Sequence, residues 1–390
     1  MYTIYDYAYN GLLYLNNIMR PQHKRLSQLM IYSTTACQSR CKHCNIWQKK
    51  VEHLSLEDIQ RIMQSRCVTR RTTVGLEGGE FILHPQAEEI MAWFHEHHPN
   101  YTLLSNCLAP RRVINAVRRY QPRHLYVSLD GGRETYQRMR GRDGYDRVIE
   151  VVEALKDEVP LSLMFCLSPW NSFDDMTYVI DVAKHYDIDV RIGIYGTMAY
   201  MKAPKEAPLS SPKAPLSSPE GDTNASSSLK KSIEAPSGAV WGASSGAVWG
   251  ALGTVWRALS QTQENFDFVA LYDEWRSGHL RLRCQSIMSC LVVHSNGDVP
   301  LCQNLDVMLG NIHEQSLDEI FNGASARQTQ CRYSRHCNDC WINFHRKYDI
   351  ILVRNFERLL PKWLIEKFYG PYQWTADPKQ TYHKHLKAIQ

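Results

Sequence analysis

The sequence predicts an α/β fold: a partial (β/α)₆ barrel of the TIM type followed by a small, cysteine-bearing C-terminal domain. Two observations carry this expectation. From residue 28 to residue 196 short apolar runs alternate with amphipathic stretches, the pattern of strand–helix units around a parallel sheet. Beyond residue 283 the pattern changes, and six of the chain's 12 cysteines follow.

Strands are expected at 29–33, 73–77, 101–105, 124–129, 161–168 and 190–195. Ser55-Leu-Glu-Asp58 reads as a capping box opening the first intervening helix, and amphipathic stretches at 86–97, 111–120, 145–157 and 173–186 supply the others. Six such units make a partial barrel, and in barrels of this kind the loops at the carboxyl ends of the strands build the active site. Cys37, Cys41, Cys44, the turn Gly78-Gly79-Glu80 and Asp130 all fall there. Residues 203–256 then repeat themselves: Ala-Pro-Leu-Ser-Ser-Pro occurs at 207–212 and 214–219, and Ser-Gly-Ala-Val-Trp-Gly-Ala at 237–243 and 245–251. Such tracts bury too little apolar surface to offset ordering entropy, so a disordered insertion is expected. Trp241, Trp249 and Trp256 within it read either as docking residues or as products of repeat slippage. A helix resumes near 264–276. The domain plan is an N-terminal extension (1–26), the barrel (27–202), the insertion (203–256), a barrel-closing helix and connection (257–283), the cysteine domain (284–345) and a helical tail (346–390).

Composition narrows the function classes. The 45 basic and 40 acidic residues are interspersed, so a net charge of +5 gives no basic arm and no nucleic-acid partner is expected. No signal peptide opens the chain and no apolar run of about 18 residues could span a bilayer, which, with thiols of this number, points to a reducing, cytoplasmic setting in which cysteines serve metals.

Cys37, Cys41 and Cys44 stand as C-x₃-C-x₂-C directly after the first strand. Three thiolates on one short loop can hold three irons of a [4Fe–4S] cluster, leaving the fourth iron open to a small molecule; the plain alternative is three chance thiols. With Gly78-Gly79-Glu80 after the second strand, this loop resembles that of radical S-adenosylmethionine (radical SAM) enzymes. The resemblance implies that the open iron chelates the methionine moiety of S-adenosylmethionine, that Glu80 and its turn hold the amino group, and that the cofactor yields a 5′-deoxyadenosyl radical. It places further cofactor contacts at Asn106, Ser128, Asp130, Arg140 and Asn171, and His43 near the adenine, though His43 reads equally as a solvated loop residue. Ser128 and Asp130 read equally as helix caps or backbone ligands.

A second metal signal is Cys284-x₁₂-Gly297-x₄-Cys302, with Ser295-Asn-Gly-Asp298 expected as a hairpin turn, followed by Cys337-x₂-Cys340. It resembles the C-terminal SPASM or Twitch domain of radical SAM enzymes and implies one auxiliary [4Fe–4S] cluster on Cys284, Cys302, Cys337 and Cys340. Tetrahedral zinc is the alternative. Cys290 reads as a packed thiol, Cys331 as a spare ligand, and Cys67, Cys107 and Cys166 as buried thiols. The tail after Cys340 reads as two short helices around Pro361.

The expectation is a radical SAM enzyme that abstracts hydrogen from a sugar-like or other small molecule, with oxidation or epimerisation as outcome and flavodoxin or ferredoxin as reductant. Only 36 residues precede Cys37, short for the leader-binding module of peptide maturases, which makes a peptide substrate the alternative. A non-catalytic, metal-stabilised interaction protein is the reading from another class.

Overall fold

The computed structural model describes residues 4–196, 198–201 and 263–373. The insertion expected at 203–256 lies outside the described residues, as does the end of the tail.

The first half alternates as expected. Strands β1 (Gln28–Thr34), β2 (Thr73–Gly78), β3 (Tyr101–Ser105), β4 (His124–Ser128), β5 (Leu161–Leu167) and β6 (Asp189–Ile194) pair parallel in sequence order. They are connected through helices α2 (Leu56–Met63), α3 (Ala87–His97), α4 (Pro110–Tyr120), α5 (Arg133–Arg140), α6 (Tyr145–Leu155) and α7 (Phe173–His185), while α1 (Ile4–Met19) precedes β1. The capping box at Ser55 and Asp58 is present, and Ser172 with Asp175 makes a second one at α7. Strand alternation sorts the side chains. In β2, Val74 and Leu76 are fully buried under the helices, whereas Thr73, Gly75 and Glu77 face the concave side and stay partly accessible.

The sheet has seven strands, not six. Strand β7 (Cys290–Val293) pairs parallel with β1, from Gln28 opposite Cys290 to Ile31 opposite Val293, giving the order β6-β5-β4-β3-β2-β1-β7 of a curled half-barrel. All four β7 residues are buried, as a continuous apolar run in a covered parallel strand should be. The expected hairpin turn follows it: the Gly297 amide donates to His294 O (2.9 Å) and the His294 amide to Asp298 O (2.8 Å). Ser295-Asn-Gly-Asp298 does turn the chain, with Gly297 at φ +85°, but the strand it leads into, β8 (Asp298–Pro300), pairs antiparallel with β9 (Met308–Asn311) in a separate two-stranded sheet. The turn therefore joins two sheets.

Helix α8 (Gln263–Arg276) follows the undescribed segment; α9 (Leu317–Asn322), α10 (Ala324–His336), α11 (Asn343–Leu359) and α12 (Lys362–Phe368) complete the C-terminal part. The tail thus holds one helix of 17 residues and one of seven around Pro361 rather than two short ones. The N-terminal extension docks on it. Tyr14 of α1 is buried and sits 6.1 Å from the ring of Phe356 and 6.0 Å from that of Tyr369.

Candidate active site and thiol centres

The carboxyl ends of β1 to β5 converge on the loop of Cys37, Cys41 and Cys44. The loop is pinned from below by the Gly78-Gly79-Glu80 turn: the Gly79 amide donates to Thr34 O (2.6 Å) and the Glu80 amide to Ala36 O (2.7 Å). A Cβ on Gly79 would lie 2.3 Å from Ala36 O, and Gly78 stands at φ +144° with Thr34 O equally close. The glycines therefore serve a backbone-to-backbone approach within the protein.

Glu80 is buried, and its carboxylate accepts from the Ser105 hydroxyl (2.8 Å) and the Asn106 amide (2.7 Å). Burial pushes its carboxyl up to about 7 against the pull of these donors. Asn106 in turn donates from Nδ2 to Cys37 Sγ (3.7 Å). Asp130 and Arg140 form a buried ion pair with Nε donating at 2.6 Å, and Arg140 Nη1 points at Cys41 Sγ (3.7 Å). Asp130 also accepts from the Cys166 amide in β5 (3.1 Å). Asn171 donates to Asp130 O and Cys166 O and accepts from Ser168, so its amide is spent on ordering the loop after β5. Ser128 is buried and its hydroxyl makes no side-chain hydrogen bond among the described residues. His43 is no solvated loop residue: its Nδ1 is buried without a partner among the described residues, and burial pushes the ring down to about 4.

Two of the three loop sulfurs thus receive an N–H, and all three thiols lie near enough to influence one another. Burial pushes Cys37 up to about 12 and Cys44 to about 11, so thiolates form here only with the compensating charge of a metal.

The second set comes from three separate stretches. Cys284, Cys302, Cys337 and Cys340 line one small pocket with Ile287, Leu301, Leu305 and Tyr333. Four thiols converging on one apolar-walled pocket form a full ligand set, of the kind a fully ligated cluster or a tetrahedral zinc ion takes. Cys290 is buried in β7, 3.6 Å from Ser27 Oγ, and Cys331 is exposed on α10 away from the cavity. Cys67 and Cys107 are fully buried and Cys166 partly so.

The amino-acid profile of the Radical SAM superfamily matches residues 31–192, and that of the SPASM iron–sulfur cluster-binding domain matches residues 284–341. The chain belongs to the radical SAM superfamily. As a radical SAM enzyme it binds S-adenosylmethionine and a [4Fe–4S] cluster, and its SPASM domain holds an auxiliary cluster. Among solved structures, SuiB of Streptococcus suis bound to S-adenosylmethionine is similar, with a TM-score of 0.55 and 14% identity over 80% of this chain and 70% of that one. SuiB bound to its precursor peptide SuiA gives a TM-score of 0.55 and 13% identity over 88% and 76%. No curated protein matches the chain. No helix among the described residues is long and apolar enough to cross a membrane.

Several residues here escaped sequence reasoning. Glu77, on the concave face of β2, lies beside Tyr32, Tyr126 and the space left by Gly75, and its carboxylate has no hydrogen-bond or ion-pair partner among the described residues. Burial alone pushes it up to about 7. Arg191 of β6 faces Tyr126 from the other side. Tyr200 stacks on both Tyr32 (4.9 Å) and His294 (3.9 Å), with Lys49 Nζ 4.0 Å from its ring centre, while Met201 O accepts from the Asn45 amide in the Cys loop (2.9 Å). Residues 198–201 therefore strap the mouth of the half-barrel to the loop. On α11, His345, Arg346 and Asp349 share one face against the thiol cavity and are fully buried. Their only sequence signal is a run of polar residues, 345–347, inside an apolar stripe.

Proposed function

We propose that this enzyme abstracts hydrogen from a small, polar, hydroxyl-bearing molecule of the sugar class held in the concave face of the half-barrel. One observation carries the substrate class: the Glu77 carboxylate, without a hydrogen-bond or ion-pair partner among the described residues, beside Tyr126 and Tyr32 on the concave face, an interior furnished to hydrogen-bond a polar guest and strapped by residues 198–201. A half-buried polar group that no described residue pairs selects ligands that supply a partner.

In this reading Cys37, Cys41 and Cys44 hold the cluster with the open iron, and Cys284, Cys302, Cys337 and Cys340 hold the auxiliary one. When bound, the first cluster and S-adenosylmethionine supply a 5′-deoxyadenosyl radical that takes a substrate hydrogen. The chain's own part is placement. Gly78 to Glu80, Asn106 and the Asp130–Arg140 pair fix the loop and its sulfurs, and Ser128 offers a hydroxyl without a side-chain partner among the described residues at the end of β4. A flavodoxin or ferredoxin is the expected electron source.

The experiment follows 5′-deoxyadenosine released by dithionite-reduced, iron-reconstituted protein, alone and with fractions of a cell extract. Basal release with further stimulation by a dialysable, protease-resistant fraction is expected. Stimulation destroyed by protease moves the substrate to the peptide class, as SuiB bound to SuiA illustrates for that protein. No release at all from protein carrying both clusters refutes the radical reading.

A further inference from the structure

Around the second thiol cavity the hydrogen-bond directions are fixed by the chemistry of the donors. The Gln303 backbone amide can only donate, and it points at Nε2 of His345 (3.3 Å). Nε2 is then the acceptor nitrogen, and in a neutral ring Nδ1 carries the proton. Nδ1 lies 3.0 Å from the Ser286 hydroxyl oxygen, which accepts, so the hydroxyl proton is left to point along the 3.3 Å contact to Cys284 Sγ. All the side chains in this path are buried. The path starts on the residue after Cys302 and ends on Cys284. Arg346 and Asp349, from the same helix face, close it off: Asp349 accepts from the Gln285 amide (2.9 Å), and Arg346 donates to Leu282 O (2.9 Å) and Asn338 Oδ1 (2.8 Å). The segments carrying Cys284, Cys337 and Cys340 are thereby clamped to α11.

We propose that His345 and Ser286 form a one-way relay that aims a hydroxyl proton at the Cys284 sulfur and thereby raises the reduction potential of the auxiliary cluster. This rests on the assignment of Cys284 as a ligand of that cluster. Ser286 is a positioning residue acting on the ligand, and His345 acts only through Ser286. A hydrogen bond to a thiolate stabilises the extra electron of the reduced cluster, so it favours reduction. An auxiliary cluster that accepts an electron from a substrate radical gains from this bias.

The test is a redox titration of the reconstituted, full-length holoenzyme. It follows by electron paramagnetic resonance the cluster whose signal S-adenosylmethionine does not perturb, with iron counted in every sample. Ser286→Ala should keep the iron of wild type and move the reduction equilibrium about tenfold against reduction, ~59 mV for a one-electron couple. Ser286→Thr, which retains the hydroxyl, should stay at the wild-type potential and guards against a packing artefact. His345→Phe should shift in the same direction by less, and the double variant should go no further than Ser286→Ala, because in the relay the ring acts through the Ser286 hydroxyl. An unchanged potential in Ser286→Ala with full iron, or additive shifts in the double variant, overturns the relay. A wild-type protein with only about four irons would instead overturn the ligand assignment beneath it.

Discussion

The two thiol centres are built by opposite strategies. Cys37, Cys41 and Cys44 lie within eight residues on one loop, and the protein's effort goes into bracing that loop from five strand ends. Cys284, Cys302, Cys337 and Cys340 span 57 residues, and one helix, α11, gathers them with a buried His, Arg and Asp. The first set leaves an iron free by having too few ligands, and the second encloses its cluster with a full set. Local ligands suit a centre that must stay open to a cofactor, while distant ligands tie a centre's existence to the completed fold. The contrast also sets what each loses on mutation.

The largest expected effect separates them outright. Replacing Cys37, Cys41 and Cys44 by Ala should lower iron from about eight to about four per chain and abolish S-adenosylmethionine cleavage. Replacing Cys337 and Cys340 should lower iron by the same amount yet leave basal cleavage measurable. If the second variant is as inert as the first, the centres are not independent and the contrast breaks.

Next is Gly79→Ala, whose Cβ would sit 2.3 Å from the Ala36 carbonyl oxygen, where only backbone could yield. Iron counting should show loss of the first cluster alone. Gly310→Ala in β9 meets the Ile320 side chain at 3.0 Å, a contact that can adjust, and should retain both clusters.

Arg140→Met strands the fully buried Asp130 and removes the N–H from Cys41 Sγ. Breaking one side of a buried ion pair costs about 3–5 kcal/mol, which urea unfolding of the apo chain should resolve. A loss below about 1 kcal/mol would mean the pair is solvated in solution.

The smallest effect concerns pH. Glu77 is pushed from its ordinary 4.5 to about 7, so the folded chain keeps a proton that the unfolded chain has released. Stability should therefore fall as pH rises from about 4.5 to about 7 and level off beyond. Glu77→Gln should flatten part of that slope and be the more stable protein at pH 8, by of order 2–3 kcal/mol. Glu80 and Asp349, also raised to about 7, keep the remainder of the slope. An identical pH profile in the variant would show that Glu77 has a partner in solution, which would also remove the observation behind the substrate class.

Much of the frame was legible because it is written in local pattern. The six alternating runs became β1 to β6 within a residue or two, the capping box at Ser55 formed, and the thiol spacings singled out both sets of cysteines that the fold brings together. Strand β7 was not legible as a seventh strand, since its partner lies far away in sequence and a buried parallel run of four looks like any apolar packing segment. Glu80 was visible as a motif, but its bonds to Ser105 and the Asn106 amide depend on where β3 ends. Glu77, one residue before the glycines, looked like a strand position of no consequence; only the curl of the sheet turns it inward. The His345, Arg346 and Asp349 face was hidden by its aromatic surroundings, because helical spacing of apolar residues outweighed three polar ones in the reading of the tail.

Pairing β7 with β1 has a consequence for how the chain is made. Ser27 bonds Ser289 across 262 residues of sequence, so a growing chain emerges with the edge of β1 uncovered until most of it has been synthesised. An unpaired strand edge is a template for wrong partners. The same edge carries the cluster loop at its carboxyl end, which makes iron delivery before release of the finished polypeptide a race against mispairing. Truncations ending before residue 290 should accordingly collect in inclusion bodies, and supplying the missing 284–373 segment in trans should recover part of them.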